Sequence, residues 1–419
     1  MKNLDELSWQ GGPTRHYESK PSKVKQRGFY QRMGQNMFSG ARIGRLEVTL
    51  PNGQLLIQEG EFKGPQASIH FKNWNSILKY KFGGDLAFAE GYMAGDIDIH
   101  DLKALFNWYL ENDKTLADKV KPNVLVDGIN KFIHRIVNNN NMAGSKKNIS
   151  YHYDLGNDFY RLWLDETMTY SSADFSSTDD LVKGQIAKYA RMAKYAGVNE
   201  GKCVLEIGCG WGGFSEYVLS HFHNISYKGV TISREQLSYA KGRLKNINKD
   251  PNTLCFEDYR DIEGTYDAIV SVEMFEAVGE KHWDTYFNAI KKLLSKDGKA
   301  TIQVITIEHE RYLSYRKNVD FIQKYIFPGG MLPSKEIFVE KAAEAGLEVV
   351  DTYAFGKSYA ETLRRWKQAF VTHWALLKKQ GFDDRFYRMW LYYLVYCEVG
   401  FDAKTTDVVQ FTLIHKGDK

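Results

Sequence analysis

The feature that most limits what this chain can become is a glycine-rich turn between an apolar strand and a helix, Cys203-Val204-Leu205-Glu206-Ile207-Gly208-Cys209-Gly210-Trp211-Gly212-Gly213. Glycines at this spacing let the backbone turn sharply and admit a ligand closer than any side chain allows. Apolar runs alternate with amphipathic stretches on either side of it. The pattern predicts a helix over 179–196 closed by Gly197, strands over 203–208 and 226–232, a helix over 234–245, and strands over 253–258 and 266–273. A helix over 283–294, a strand over 299–307 and a closing strand over 408–415 complete it. Strands separated by helices form a parallel sheet covered on both faces. The expected fold is α/β, a doubly wound sheet whose ligand binds outside the carboxyl ends of the strands.

At 419 residues the chain is too long for one typical domain. Residues 45–60 read as a hairpin around Pro51-Asn52-Gly53, and the segment after it as short helices broken at glycines. From 112 to 150 the composition turns polar, ending in NNNNMAGSKKNIS. The division expected is a smaller N-terminal α+β domain over 1–111, a linker over 112–150, and the α/β domain over 151–419. The 26 Tyr, 24 Phe and 9 Trp suit a packed core, and equally a pocket for a long apolar ligand.

The net charge of +4 is unevenly spread, with 21 Lys and Arg against 15 Asp and Glu in residues 1–150. The excess gathers at Arg15, Lys20, Lys23, Lys25, Arg27, Arg32, Arg42 and Arg45. Such a face suits an anionic membrane surface, while a solvated surface is the plainer reading. Nucleic acid is not expected, because no RNA-binding module accompanies the basic residues. The four cysteines form no CxxC pair and no metal-like cluster, so no metal is expected and the thiols read as reduced and buried in a cytoplasmic protein. No run approaches eighteen uninterrupted apolar residues, so contact with lipid would be made from outside the bilayer.

Two cofactors compete for the glycine turn. A nicotinamide-type turn is one reading. The GxGxG spacing of Gly208, Gly210 and Gly212 behind Glu206 favours S-adenosylmethionine, with the acid near the methionine ammonium. The second strand ends without an acid for the ribose, leaving Thr231 and Gln236 as neutral partners. Ser233-x-x-Gln236 is also a capping box, which alone would explain Gln236. Asp258-Tyr259, at the end of the third strand, suits the adenine amino group or is an ordinary loop pair.

The runs Tyr153-Asp154-Leu155-Gly156-Asn157-Asp158-Phe159-Tyr160 and Met168-Thr169-Tyr170-Ser171-Ser172-Ala173 precede the glycine turn. GVTIS (229–233), DYRD (258–261), Met274-Phe275-Glu276-Ala277-Val278-Gly279 and KYIFPGGMLPS (324–334) follow it. Together they resemble the cyclopropane-fatty-acyl-phospholipid synthases and their mycolic-acid relatives, closely over 150–415 and loosely over 80–110. The resemblance implies a Rossmann-like class I methyltransferase domain, with a seven-stranded doubly wound sheet, that transfers the sulfonium methyl to a cis double bond of a lipid-borne acyl chain. The resulting carbocation then closes a ring by losing a proton. It also implies membrane docking and homodimer formation through the N-terminal domain, at the inner face of the cell membrane. Segment 308–335, with Tyr312, Tyr315, Phe321, Tyr325 and Phe327, would cover the acyl pocket, with core packing the rival account of those aromatics and both able to hold at once. A helix over 361–380 with the aromatic run 386–393 would close the other wall, although such a run is usually core. Tyr170 and Ser171 join the cofactor residues.

Family members hold a bicarbonate ion as base, and here its site is altered. Glu276 and Tyr359 match the family glutamate and tyrosine. The family cysteine is Ser172, the histidine is Gln303, and a glycine is Glu273. Gaining a carboxylate while losing a histidine disfavours a bound anion. Glu273 therefore either points to solvent or replaces bicarbonate in the site. The rival functions are methylation or methylenation of the acyl chain without ring closure, and a catalytically silent protein that binds lipid and cofactor.

The basic cluster generates a first prediction. Each Lys or Arg near an anionic leaflet contributes roughly 1 kcal/mol, and salt screens it. Binding to anionic vesicles should weaken with salt and on neutralising Lys20, Lys23, Lys25 and Arg27. A co-sedimentation assay showing equal binding to neutral vesicles at every salt concentration would contradict it.

Overall fold

The computed structural model describes residues 36–116 and 155–417. The basic residues from Arg15 to Arg32, and Tyr153-Asp154, lie outside them. The small domain carries a four-stranded sheet in the order β2-β1-β3-β4, built from β1 (Ile43–Thr49), β2 (Leu55–Glu59), β3 (Phe62–Phe71) and β4 (Ile97–Ile99). β1 and β2 form the expected antiparallel hairpin, with Gly53 in the left-handed region at φ 81°. Helix Trp74–Met93 is interrupted at Gly84, whose φ of 62° and ψ of −154° no helix contains. Helix Leu102–Leu116 runs past the expected domain end at 111, so the linker expected from 112 does not begin there.

The large sheet has seven strands in the order β10-β11-β9-β8-β5-β6-β7. They are β5 (Cys203–Ile207), β6 (Ser226–Thr231), β7 (Leu254–Phe256), β8 (Tyr266–Val272), β9 (Leu294–Ile307), β10 (Leu347–Ala354) and β11 (Thr406–His415). β11 runs antiparallel between β9 and β10, and the other neighbours pair in parallel. Helix Leu181–Ala196 starts where Asp180 accepts from the Lys183 amide and stops at Gly197, left-handed at φ 75°. β9 begins five residues before the expected 299. The helix expected over 361–380 is two, Gly356–Thr372 and Trp374–Lys379.

The small domain is packed against the large one. Ala89, Tyr92, Met93 and Leu102 belong to the same buried cluster as Phe159, Trp211, Trp366 and Trp390. Five ion pairs among the described residues surround that contact: Lys103–Glu398 at 2.7 Å, Lys103–Asp402 at 2.8 Å, Arg388–Asp98 at 2.7 Å, Lys324–Glu90 at 2.7 Å and Arg311–Asp113 at 2.8 Å. All four cysteines are free, but only Cys209 is buried, and Cys203, Cys255 and Cys397 are partly exposed. Among the described residues no helix is long and apolar enough to cross a membrane.

Glu398 ties this junction together. Its side chain is wholly buried and accepts from Lys103, Lys367 at 2.8 Å and Arg364 at 3.2 Å. Burial pushes its carboxyl up, but Lys103 and Lys367 outweigh that and hold it below the usual carboxylate range. Glu398→Gln should cost about 2–3 kcal/mol, less than a fully buried pair because the three cations remain partly exposed. Because the folded carboxyl is depressed, its contribution is present above about pH 4.3 and lost as pH falls through the folded value. Urea unfolding between pH 3 and 7 should show the variant losing less stability on acidification than the wild type.

Candidate active site

The carboxyl ends of β5, β6, β7, β8 and β9 open onto one cavity of about 1490 Å³. At the β5 end the three glycines divide the work. A Cβ on Gly208 would meet Met274 at 2.9 Å, and one on Gly212 would meet Ala240 at 2.9 Å. One on Gly210, left-handed at φ 51°, would meet nothing within 4 Å. Two glycines therefore permit packing, and Gly210 leaves the cavity floor open to a ligand.

Glu206 faces this space while its carboxylate accepts from Ser215 Oγ at 2.5 Å and from the Tyr227 hydroxyl. Burial pushes it up to about 7. At the β6 end Ser233 caps the next helix, accepting from the Gln236 amide at 3.3 Å. The Gln236 side chain does not return to the cap: its Oε1 accepts from Thr231 Oγ1 at 3.2 Å, and both residues line the cavity. The capping box therefore explains only half of that motif. Asp258 is buried, not an exposed loop residue, and Arg260 grips it at 2.8 and 2.7 Å. Tyr259 lines the cavity against Tyr286.

Glu273 does not point to solvent. It sits just past β8 with φ 49°, a left-handed backbone that suits the glycine of the resemblance and costs a glutamate about 1–2 kcal/mol. Its Oε1 accepts from the Ser172 amide at 3.0 Å and from Gln303 Nε2 at 2.7 Å, and its Oε2 accepts from the Tyr359 hydroxyl at 2.6 Å. Ser172 contributes its backbone, since its hydroxyl donates to Ala173 O. Ser172 and Gln303 lie behind Glu273, whereas Glu273, Glu276 and Tyr359 line the cavity. The expected catalytic set therefore divides into three groups at the cavity wall and two that position one of them.

Residues that sequence reasoning passed over complete the arrangement. Gln410 Nε2 donates to Gln303 Oε1 at 3.0 Å while its own Oε1 accepts from Arg191 at 2.9 Å. That chain fixes which end of the Gln303 amide meets Glu273. Lys188 is wholly buried and donates to Ser171 Oγ and to Gln185 Oε1, both at 2.6 Å. Ser171 thus turns its hydroxyl to Lys188, and Tyr170 pairs with the Tyr393 hydroxyl at 2.7 Å. Burial lowers the Lys188 ammonium and raises the Glu273 carboxyl, and the attraction between the two opposes both shifts. Glu276 is pushed up to about 8, by burial first and by the Glu273 charge second. Its Oε1 accepts from the Ile305 amide, and its buried Oε2 has no hydrogen-bond partner among the described residues. Only the Gln-x-x-Lys spacing of Gln185 and Lys188 on an amphipathic helix hinted at Lys188, and such a lysine normally reads as surface.

Of the insertion aromatics, Tyr315, Phe321 and Phe327 line the cavity. Tyr312 packs beside Trp283 and Tyr325 turns its hydroxyl to Glu90. In the run 386–393, Tyr392 and Tyr393 face the cavity while Trp390 lies in the core.

The sequence matches the family model "Mycolic acid cyclopropane synthetase" over residues 141–411. The chain is 36% identical over 383 residues to a tuberculostearic acid methyltransferase of Mycobacterium tuberculosis, covering 87% of this chain and 88% of that one. It is 33% identical over 347 residues to the cyclopropane-fatty-acyl-phospholipid synthase of Escherichia coli, covering 82% and 87%. The chain belongs to this family. Among solved structures, a mycolic acid cyclopropane synthase in complex with SAH and CTAB superimposes with a TM-score of 0.60 at 30% identity, covering 64% of this chain and 97% of that one. This cyclopropane-synthase relative is an S-adenosylmethionine-dependent methyltransferase.

The open floor at Gly210 fits that cofactor and generates a prediction. Gly210→Val puts a branched side chain into the ligand space and should abolish S-adenosylmethionine binding in a folded protein. Unchanged affinity by calorimetry, with an unchanged circular dichroism spectrum, would refute the assignment of the turn.

Proposed function

We propose that this enzyme transfers a methyl group to the cis double bond of an unsaturated acyl chain in a membrane phospholipid, and that Glu273, not bicarbonate, receives the proton released afterwards. The observation that carries the reading is the Glu273 carboxylate at the cavity wall, both oxygens held by donors from Ser172, Gln303 and Tyr359. S-adenosylmethionine, held by the 206–212 turn, Thr231, Gln236, Asp258 and Tyr259, supplies the electrophilic methyl. Attack by the alkene leaves a carbocation on the acyl chain. A unit charge about 4 Å from a carboxylate is stabilised by roughly 4 kcal/mol at an effective dielectric near 20, so an ionised Glu273 lowers that barrier directly. Tyr315, Phe321, Phe327 and Tyr393 keep water from the cation. Glu276, neutral at pH 7, adds no second negative charge beside Glu273.

Loss of a proton from the added methyl to Glu273, with closure of the new carbon–carbon bond, gives a cyclopropane. In a second reading a hydride first moves from the methylated carbon to the neighbouring cationic carbon, and the added methyl then loses its proton to Glu273, leaving a methylene group. The 36% identity to a tuberculostearic acid methyltransferase favours it. We place the reaction at an anionic membrane face, with the protein peripheral to the bilayer and acting as a homodimer.

Glu273→Gln should lose roughly 10²–10⁴ in turnover while keeping cofactor affinity, since a neutral amide neither stabilises a cation nor accepts its proton. Wild-type turnover should be indifferent to added bicarbonate. Because the folded Glu273 is raised, turnover should decline on acidification from a pH above the ordinary glutamate value near 4.3. A nearly fully active Glu273→Gln with strong bicarbonate stimulation of the wild type would overturn the assignment. Mass spectrometry of lipids labelled from methyl-labelled cofactor, before and after ozonolysis, separates a ring from a methylene.

A further inference from the structure

The cavity does not end at the reacting carboxylate. It continues between the domains, where Tyr80, Gly83, Leu86, Phe88, Phe106 and Tyr109 of the small domain form its wall. The break at Gly84 makes this possible, because the helix Trp74–Met93 opens there and presents Gly83 and Leu86 to the space. Phe106 faces Tyr392 edge-on at 4.9 Å and Tyr396 at 5.9 Å, so aromatic rings from both domains meet along this arm. Tyr396, 39% exposed and partly open surface by that measure, lines the same space. The total volume of about 1490 Å³ exceeds the roughly 300–1,000 Å³ of a pocket for one drug-sized ligand, leaving room for a second molecule beside a cofactor.

The chemistry of the arm selects its occupant. Its walls are aromatic and aliphatic, and its polar groups include Tyr109, which donates to Asp85 at 3.1 Å, and Asp113, which takes up Arg311 at 2.8 Å. The Asp85 carboxylate repels a phosphate, and the apolar walls favour hydrocarbon. The family model begins at residue 141, so this wall lies outside the segment that defines the family.

We propose that the small domain forms the far wall of the acyl site: the arm lined by Gly83, Leu86, Phe88, Phe106 and Tyr109 takes the hydrocarbon segment beyond the reacting double bond and sets which chain lengths are accepted. The proposal rests on the acyl-modifying reading above. It makes the domain a specificity element as well as a docking one.

The test uses the full-length enzyme on vesicles carrying equal amounts of sixteen- and eighteen-carbon acyl chains, each with its cis bond at the ninth carbon, and methyl-labelled cofactor. These chains differ only beyond the double bond. Leu86→Trp shortens the arm and should shift the labelled products toward the sixteen-carbon chain at least about tenfold, the low end of what one methylene is worth in an apolar pocket. Phe106→Ala lengthens it and should shift them the other way. Cofactor affinity should stay at the wild-type value in both. Labelled lipid in the wild-type ratio from both variants, or an equal loss on both chain lengths, would overturn the proposal while leaving the acyl reaction standing. No labelled lipid from the wild type at all would sink the underlying reading, and this one with it.

Discussion

The structure turns on one buried carboxylate. Glu273 occupies a backbone conformation that glycine adopts freely and glutamate does not, and three donors hold it there. An unpaired carboxylate at this depth would cost several kcal/mol, so its surroundings must supply both hydrogen bonds and charge. The Ser172 amide, Gln303 and Tyr359 provide the first, and the buried ammonium of Lys188 provides the second. The strain at one residue is thereby offset by satisfied polar groups drawn from four separate segments.

Each of those donors is itself held from behind. Arg191 orients Gln410, which orients Gln303, and Lys188 is gripped by Gln185 of its own helix and by Ser171 on the loop that carries the Ser172 amide. A fully connected polar network of this kind rigidifies the wall it stands in. That is what a reaction through a short-lived cation requires, because a carboxylate that wandered would neither stabilise the charge nor find one proton among many. The glycine turn does the complementary work on the cofactor side, where Gly208 and Gly212 fix the packing and Gly210 keeps the floor clear.

Much of this was legible in the sequence. Hydrophobic periodicity and caps gave the helix at 181–196 and the strand order's raw material to within a few residues, because both are local properties of the chain. The separate motifs carried the family, and the substitution of Glu273 and Gln303 marked the site as altered. Spacing left Tyr312 and Tyr325 open between pocket and core for a physical reason: an aromatic on an insertion can face a cavity, a core or a carboxylate, and spacing does not say which. The β9 start at Leu294 was missed because Lys296, Asp297 and Gly298 read as a turn; Leu294 pairs with Tyr266 of β8 ahead of a register shift, and regular pairing resumes at Lys299.

What the sequence determined by itself was the fold, the cofactor turn, and the presence of a carboxylate where the family resemblance implies a glycine. What only the tertiary structure decided was where that carboxylate points and what surrounds it. Its partners lie 101, 30 and 86 residues away along the chain, brought together by the sheet and a left-handed residue rather than by any local pattern. The same holds for Lys188, whose charge is invisible as a buried group until the loop at 169–173 closes over it. It holds also for the arm between the domains, lined beside the helix break at Gly84 by Gly83 and Leu86, and by Phe106, whose ring meets Tyr392 more than 280 residues later. Local periodicity follows from backbone geometry, whereas a site assembled across such distances is set by packing, which no short stretch of sequence encodes.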